Sequence, residues 1–203
     1  MKHLYAYIVE PTNGRYNNKI DVEDSELILN TSIEDHKFVN REGIVKQLPI
    51  NIEQDFLQIG DKVIIHHNVF RRYYDIRGKE KNSKSYFMED KYFCYLDQIF
   101  LYNRNGEWLA PPGFCFVKPI HSYKQLSEDK NEPLTGVLRY LGRDLRSFGL
   151  EDNDLIGFTP NSEYEFVINN ELLYRVPLNS ISIKYERKGT EVEYNPSWVQ
   201  SST

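Results

Sequence analysis

A chain of 203 residues with 40% hydrophobic and 27% charged side chains is ordinary globular material, enough for one large domain or two small ones. Its formal charge of −5 gives a phosphate backbone no general attraction, which argues against nucleic acid as a partner. No run approaches the roughly 20 apolar residues that would cross a bilayer, so no membrane partner is expected.

The opening MKHLYAYIVEP lacks the charged, apolar, then small pattern of a secretory signal. Cys94 and Cys115 are too few for a disulfide framework or a metal knuckle, and read as free thiols of a reducing compartment. A cytoplasmic location is therefore expected.

Fifteen tyrosines and 11 phenylalanines favour strands. The best helical segment, 50–59, has apolar Ile52, Phe56 and Ile59 and is either one or two turns or a loop with a few buried side chains. The expectation is an all-β protein. In chain order the first strands are 4–9, 43–48, 60–67 (GDKVIIHH), a hairpin over 86–96 turning near Glu89 and Asp90, and 97–102. A second set follows at 113–118, 136–141, 154–158, a hairpin over 164–176, and 180–185. Asn169-Asn170 suits a tight primed turn, since asparagine tolerates positive φ.

The two sets repeat. Gly43 to Gly136 and Asp61 to Asp154 are both 93 positions apart. The opening strands, at Val9 and Val117, are 108 apart, and the closing strands, at Ile99 and Ile181, are 82 apart. The first set therefore carries about 15 extra residues in its first loop and about 11 before its end, where loops tolerate insertion. The predicted organisation is a unit over 1–104, a second over 105–186, and a tail over 187–203 with Trp198 as its one anchor.

This order of signals resembles the GroES co-chaperonin family, taken twice in tandem. In the first half it runs through residues 4–9, the long loop 10–42, Gly43-Ile44-Val45, Gly60-Asp61-Lys62-Val63, the 86–96 hairpin and Asp97-Gln98-Ile99. In the second it runs through 114–118, Gly136-Val137-Leu138, Asp154-Leu155-Ile156, the Asn169-Asn170 hairpin and Ser180-Ile181. The resemblance implies two small GroES-like β-barrels, a homo-oligomer, and no enzyme activity or cofactor. It also implies a ring chaperonin (GroEL-like) as partner, gripped by an aliphatic triplet in a mobile loop. Leu27-Ile28-Leu29 stands where that triplet belongs. The alternative for the triplet is an extra strand packed on its own barrel.

Three features depart from the family. The loop is acidic, with Asp21, Glu23, Asp24, Glu34 and Asp35. The second loop, 119–134, lacks a triplet. Finally, tandem pairs complicate ring symmetry. The richness in Asn, Lys, Ile and Tyr fits an AT-rich genome such as a phage's, which would place the protein in a bacterial cytoplasm. The competing function is a structural adaptor in a virion or other assembly, using the same fold without chaperonin binding.

Segment 69–85 (VFRRYYDIRGKEKNSKS) is strongly basic. Arg71, Arg72 and Arg77 are candidate secondary contacts. Arginines beside Tyr73 and Tyr74 could track a nucleic-acid backbone, as on an OB-like barrel, but a solvated hairpin is the expectation. His66 and His67 end a strand, so alternation points their rings to opposite faces, away from a shared metal. No nucleophile elbow or phosphate-binding glycine loop occurs.

Overall fold

The computed structural model describes residues 2–17, 19–22, 25–28, 35–51, 56–122, 131–188 and 191–200, with 19–22 and 25–28 described as backbone. Two compact units divide the chain, Met1–Glu107 and Trp108–Thr203. Both are all-β and antiparallel.

The first unit holds β1 (Tyr7–Pro11), β2 (Lys19–Val22), β3 (Ser25–Ile28), β4 (Glu42–Gln47), β5 (Lys62–Ile65), β6 (Arg72–Tyr74), β7 (Glu80–Asn82), β8 (Tyr86–Met88), β9 (Lys91–Cys94) and β10 (Ile99–Arg104). A short β11 (Glu107–Leu109) follows. The second unit holds β12 (Phe114–His121), β13 (Asn131–Leu141), α1 (Arg143–Ser147), β14 (Asp154–Phe158), β15 (Tyr164–Ile168), β16 (Glu171–Pro177), β17 (Ile181–Lys188) and α2 (Ser197–Gln200).

One sheet runs β11-β10-β5-β4-β1-β9-β8, and the other runs β15-β16-β12-β13-β14-β17. Read from the closing strand, the second order is β17-β14-β13-β12-β16-β15, which matches β10-β5-β4-β1-β9-β8 strand for strand. Register matches too. Val9 faces Val45 and Pro11 faces Gly43, as Val117 faces Leu138 and Pro119 faces Gly136. The ladder slips after Ile8 in one unit and after Phe116 in the other, again 108 positions apart. Gly43 pairs with Val63 and Gly136 with Ile156, preserving the 93-residue offset.

The inward face is shared as well. Val9, Val45, Val63, Ile65 and Cys94 are buried in the first unit. Their counterparts Val117, Leu138, Ile156, Phe158 and Val176 form one apolar cluster in the second. Each such side chain contributes roughly 1.5–3 kcal/mol on burial.

The sheets differ from expectation in being open. Strands β8 and β11 end one order and β15 and β17 end the other, with no pairing among the described strands that closes either into a barrel. Segment 50–59 gives no described helix; its residues 52–55 lie outside the described residues, and Phe56 and Leu57 are buried. The short α1 buries only Leu145, so it left no apolar stripe to read.

The tail also differs from the expectation of one anchor at Trp198, whose surface is half exposed. Glu193 instead bridges Ile120, His121 N–H donates to Val192 C=O at 2.8 Å, and Asn195 Oδ1 accepts from Leu172 N–H at 2.9 Å. Val199 is fully buried. Lys118, itself buried, reaches Glu171 at 3.0 Å and Glu193 at 3.2 Å, tying the tail to the sheet.

Each unit turns into its third core strand at an aspartate. Gly60 (φ +96°) and Asn153 (φ +68°) take the left-handed conformation just before it. Asp61 Oδ2 accepts Gln58 N–H at 2.8 Å, and Asp154 Oδ2 accepts Glu151 N–H at 2.7 Å. A cation from the closing strand completes each turn. Arg104 grips Asp61 with Nε at 3.2 Å and Nη2 at 2.6 Å, while Nη2 also reaches Phe56 C=O at 2.7 Å. Lys184 Nζ reaches Asp154 at 2.7 Å and Gly149 C=O at 2.7 Å. Phe56 and Gly149 are again 93 apart.

Two stability predictions follow from this packing. Asp61→Ala takes the carboxylate away from a largely buried Arg104, and denaturant unfolding should show a loss of about 3 kcal/mol. A Cβ on Gly136 would lie 2.5 Å from Val117 Cγ1 and 2.6 Å from Lys118 O, whereas one on Gly43 meets nothing nearer than 3.1 Å. Gly136→Ala should therefore cost about 2 kcal/mol and Gly43→Ala measurably less.

Candidate functional site: two joined insertions of the first unit

The length differences between the units fall in two places. Between β1 and β4 the first unit inserts a segment carrying the hairpin β2–β3, with Ile20 opposite Leu27 and Lys19 opposite Ile28. Between β5 and β8 it inserts the hairpin β6–β7, with Tyr73 opposite Lys81. Of the predicted triplet, Leu27 and Ile28 lie on strand β3, rather than in an unpaired loop; Leu29 lies outside the described residues.

The second hairpin is closed by its own turn. Asp75 Oδ1 accepts Arg77 N–H and Lys79 N–H, each at 2.9 Å, and Gly78 N–H donates to Asp75 C=O. Its surface is exposed: Tyr73, Tyr74 and, at the turn, Ile76, which is bare to solvent. The basic residues are not one open patch. Arg72 pairs with Glu80 at 2.7 Å and lies over the Tyr16 ring at 5.0 Å. Arg71 is half-buried at the hairpin's base, and Arg77 is exposed at its turn.

The two insertions are joined at both ends. Near the start of the first, Arg15 donates from Nε to Phe70 C=O at 3.0 Å and from Nη1 to Asn82 Oδ1 at 2.7 Å. Next to it, Tyr16 Oη accepts Arg72 N–H at 2.7 Å. The Arg15 guanidinium also lies 5.3 Å from the centre of the buried Tyr92 ring. Near the end of the first insertion, on the turn His36–Phe38, the His36 ring lies 5.3 Å from that of His67.

His66 and His67 correct the expectation of opposed rings. Strand β5 ends at Ile65, so alternation stops before them, and the rings lie 4.3 Å apart at 31°. No group of three or more His, Cys, Asp or Glu among the described residues is arranged to hold a metal. Burial, then His66, His36, Arg41 and Arg71, push the His67 imidazole down to about 4. Burial, followed by Arg41, lowers His66, against the opposing pull of Asp97.

Sequence reasoning missed His36, Arg15 and Tyr16. Only pairing between segments some 30 to 55 positions apart brings them to this place, and no local pattern carries that information. Comparison with known proteins adds no relative: no protein-family model, no curated protein and no solved structure matches the chain.

The histidines make stability depend on pH. Unfolded, His67 takes a proton near its ordinary 6.5; folded, it does so only near 4. The unfolded chain thus binds more protons between these values, and this contribution, complete above pH 6.5, is lost as pH falls toward 4. Melting curves at pH 7 and pH 5 should show a smaller drop in Tm for His67→Asn than for the parent, by about 2 °C.

Proposed function

We propose that the chain is a non-catalytic binding protein whose two β units are copies of one design, and that the joined insertions of the first unit meet its partner. The supporting observation is the placement of extra sequence. Frame, register and inward face agree between units, and the surplus of the first is spent on two insertions, each carrying a hairpin, that Arg15 and Tyr16 tie together. A scaffold has no use for exposed Tyr73, Tyr74 and Ile76 on such an extension, since large apolar groups held in water gain nothing until something covers them.

A nucleophilic role for either cysteine is disfavoured. Burial, with Asp144 adding to it, pushes the Cys115 thiol up to about 12, and burial, with Asp97 adding, pushes Cys94 higher still.

Two partners fit this reading. A GroES-like co-chaperonin would grip a ring chaperonin through Leu27, Ile28 and Leu29, and the recurrence of the family's element order in both units favours it. A structural adaptor would use the insertions within an assembly, and the pairing of β3 with β2 favours that, because the anchor region then has strand partners of its own. The adaptor is the reading we favour, with open sheets as further support.

Two arms test it. In co-sedimentation with a ring chaperonin and nucleotide, the adaptor reading expects no binding by the parent. Binding that Ile28→Asp abolishes, with stability within about 0.5 kcal/mol of the parent, would establish the co-chaperonin instead. In the second arm, a photo-crosslinker replaces Ile76, or Ile183, which is exposed on the second unit. Lysate from the native host should give a discrete adduct at position 76 and none at 183; the reverse pattern, or no adduct at either, would overturn the assignment to the insertions.

A further inference from the structure

We propose that His36, His66, His67, Arg41 and Arg71 form a binding site for a tetrahedral oxyanion of the phosphate class, where the two insertions of the first unit meet. The ring centres lie 5.3 Å (His36 to His67) and 4.3 Å (His66 to His67) apart. Arg41, just ahead of β4, and Arg71, just ahead of β6, both act electrostatically on His67. Two stretches of chain, 36–41 and 66–71, thus bring donors to one half-buried place.

The groups are set as donors. Asn68 N–H donates to His66 Nδ1 at 3.1 Å, which leaves Nε2–H as the donor of that ring. Arg71 has no carboxylate in ion-pair contact among the described residues, and its buried Nε–H has no acceptor. Arg41 Nε leans on Ile65 C=O at 3.4 Å and its guanidinium lies 5.9 Å from the Phe100 ring, which holds it beside the histidines. The facing charges are mostly cationic: His36, Arg41 and Arg71 around His67, with Lys37 next along the His36 turn. Against them stand Asp97, which acts on His66, and Asp35, whose carboxylate accepts Lys37 N–H.

With nothing bound, burial and cationic neighbours favour the neutral form of His66 and His67. An anion changes that balance. It meets two permanent guanidiniums at once, and each imidazole it touches gains by taking a proton and becoming a second charged donor. Binding is therefore linked to proton uptake. Below about pH 6, where phosphate holds a single charge, affinity should rise as pH falls through the histidine midpoints of the bound form, and level off below those of the free form. A phosphate offers several acceptor oxygens that a guanidinium fork can meet two at a time, whereas chloride offers no such geometry. This site stands apart from the choice of protein partner, since it rests on the junction of the insertions and not on the exposed hairpin residues.

Histidine proton resonances, followed from pH 7.5 to pH 3.5 in the whole protein, test it with inorganic phosphate against sodium chloride at matched ionic strength. The proposal expects the His67 midpoint to rise by at least one unit in phosphate only. His3 and His121, outside the cluster, should respond equally to both salts. Arg71→Gln should weaken the phosphate response about tenfold. Equal midpoints in the two salts would overturn the site. So would a rise of the same size at His121, or an unchanged response in Arg71→Gln.

Discussion

The turn aspartate and its cation are what each sheet depends on. A carboxylate with 6% of its surface exposed in Asp61, or 1% in Asp154, is costly to bury unless every strong contact is made. Backbone N–H groups at Gln58 and Glu151 supply part of the compensation, and a cation from the last strand supplies a further part. The cation must come from that strand. It binds the carboxylate and a carbonyl three residues or more before it, so the loop entering the strand, the strand itself and its outer neighbour are locked by a single head group. The two units use different residues, Arg104 and Lys184. Their positions differ by two along the closing strand, which keeps both on the same face.

From that lock the rest follows in order. Fixing the entry to β5 or β14 fixes its register against β4 or β13, and the glycines there allow backbones to close in. Gly136 faces Pro119 with no room for a methyl group. Once these strands are placed, length added between them cannot alter the frame and must leave it as a loop or hairpin. The first unit uses this freedom twice, and Arg15, Tyr16 and His36 then draw the two additions together. The surplus of the first unit is thereby gathered at one place on a frame that both units share. The groups that act on His67 there are cationic, although the whole chain and the loop of the first insertion are acidic.

Much of the frame was legible because strands betray themselves locally. Apolar alternation marks 43–48 and 136–141, and the Asn169-Asn170 turn, with both φ values positive, is written in two letters. The shared 93-residue offset was legible by subtraction. What stayed hidden depends on distant pairing. Whether a sheet closes is decided by its edges, which no single strand records. The tail reads as polar, yet Glu193, Asn195 and Val199 dock it, one residue at a time. His66 and His67 misled because alternation was extended past the end of the strand. Helix α1 left only Leu145 as a trace, too little for a stripe.

The central claim is that one aspartate lock organises both units alike, and amide hydrogen exchange on the whole protein tests it most directly. The N–H groups of Gln58 and Glu151 lie in loops, where free amides exchange quickly. If the carboxylates hold them as described, both should exchange as slowly as the amides of β5 and β14, and Asp61→Ala should release Gln58 while leaving Glu151 protected. Loop-like exchange at either position in the parent would contradict the account.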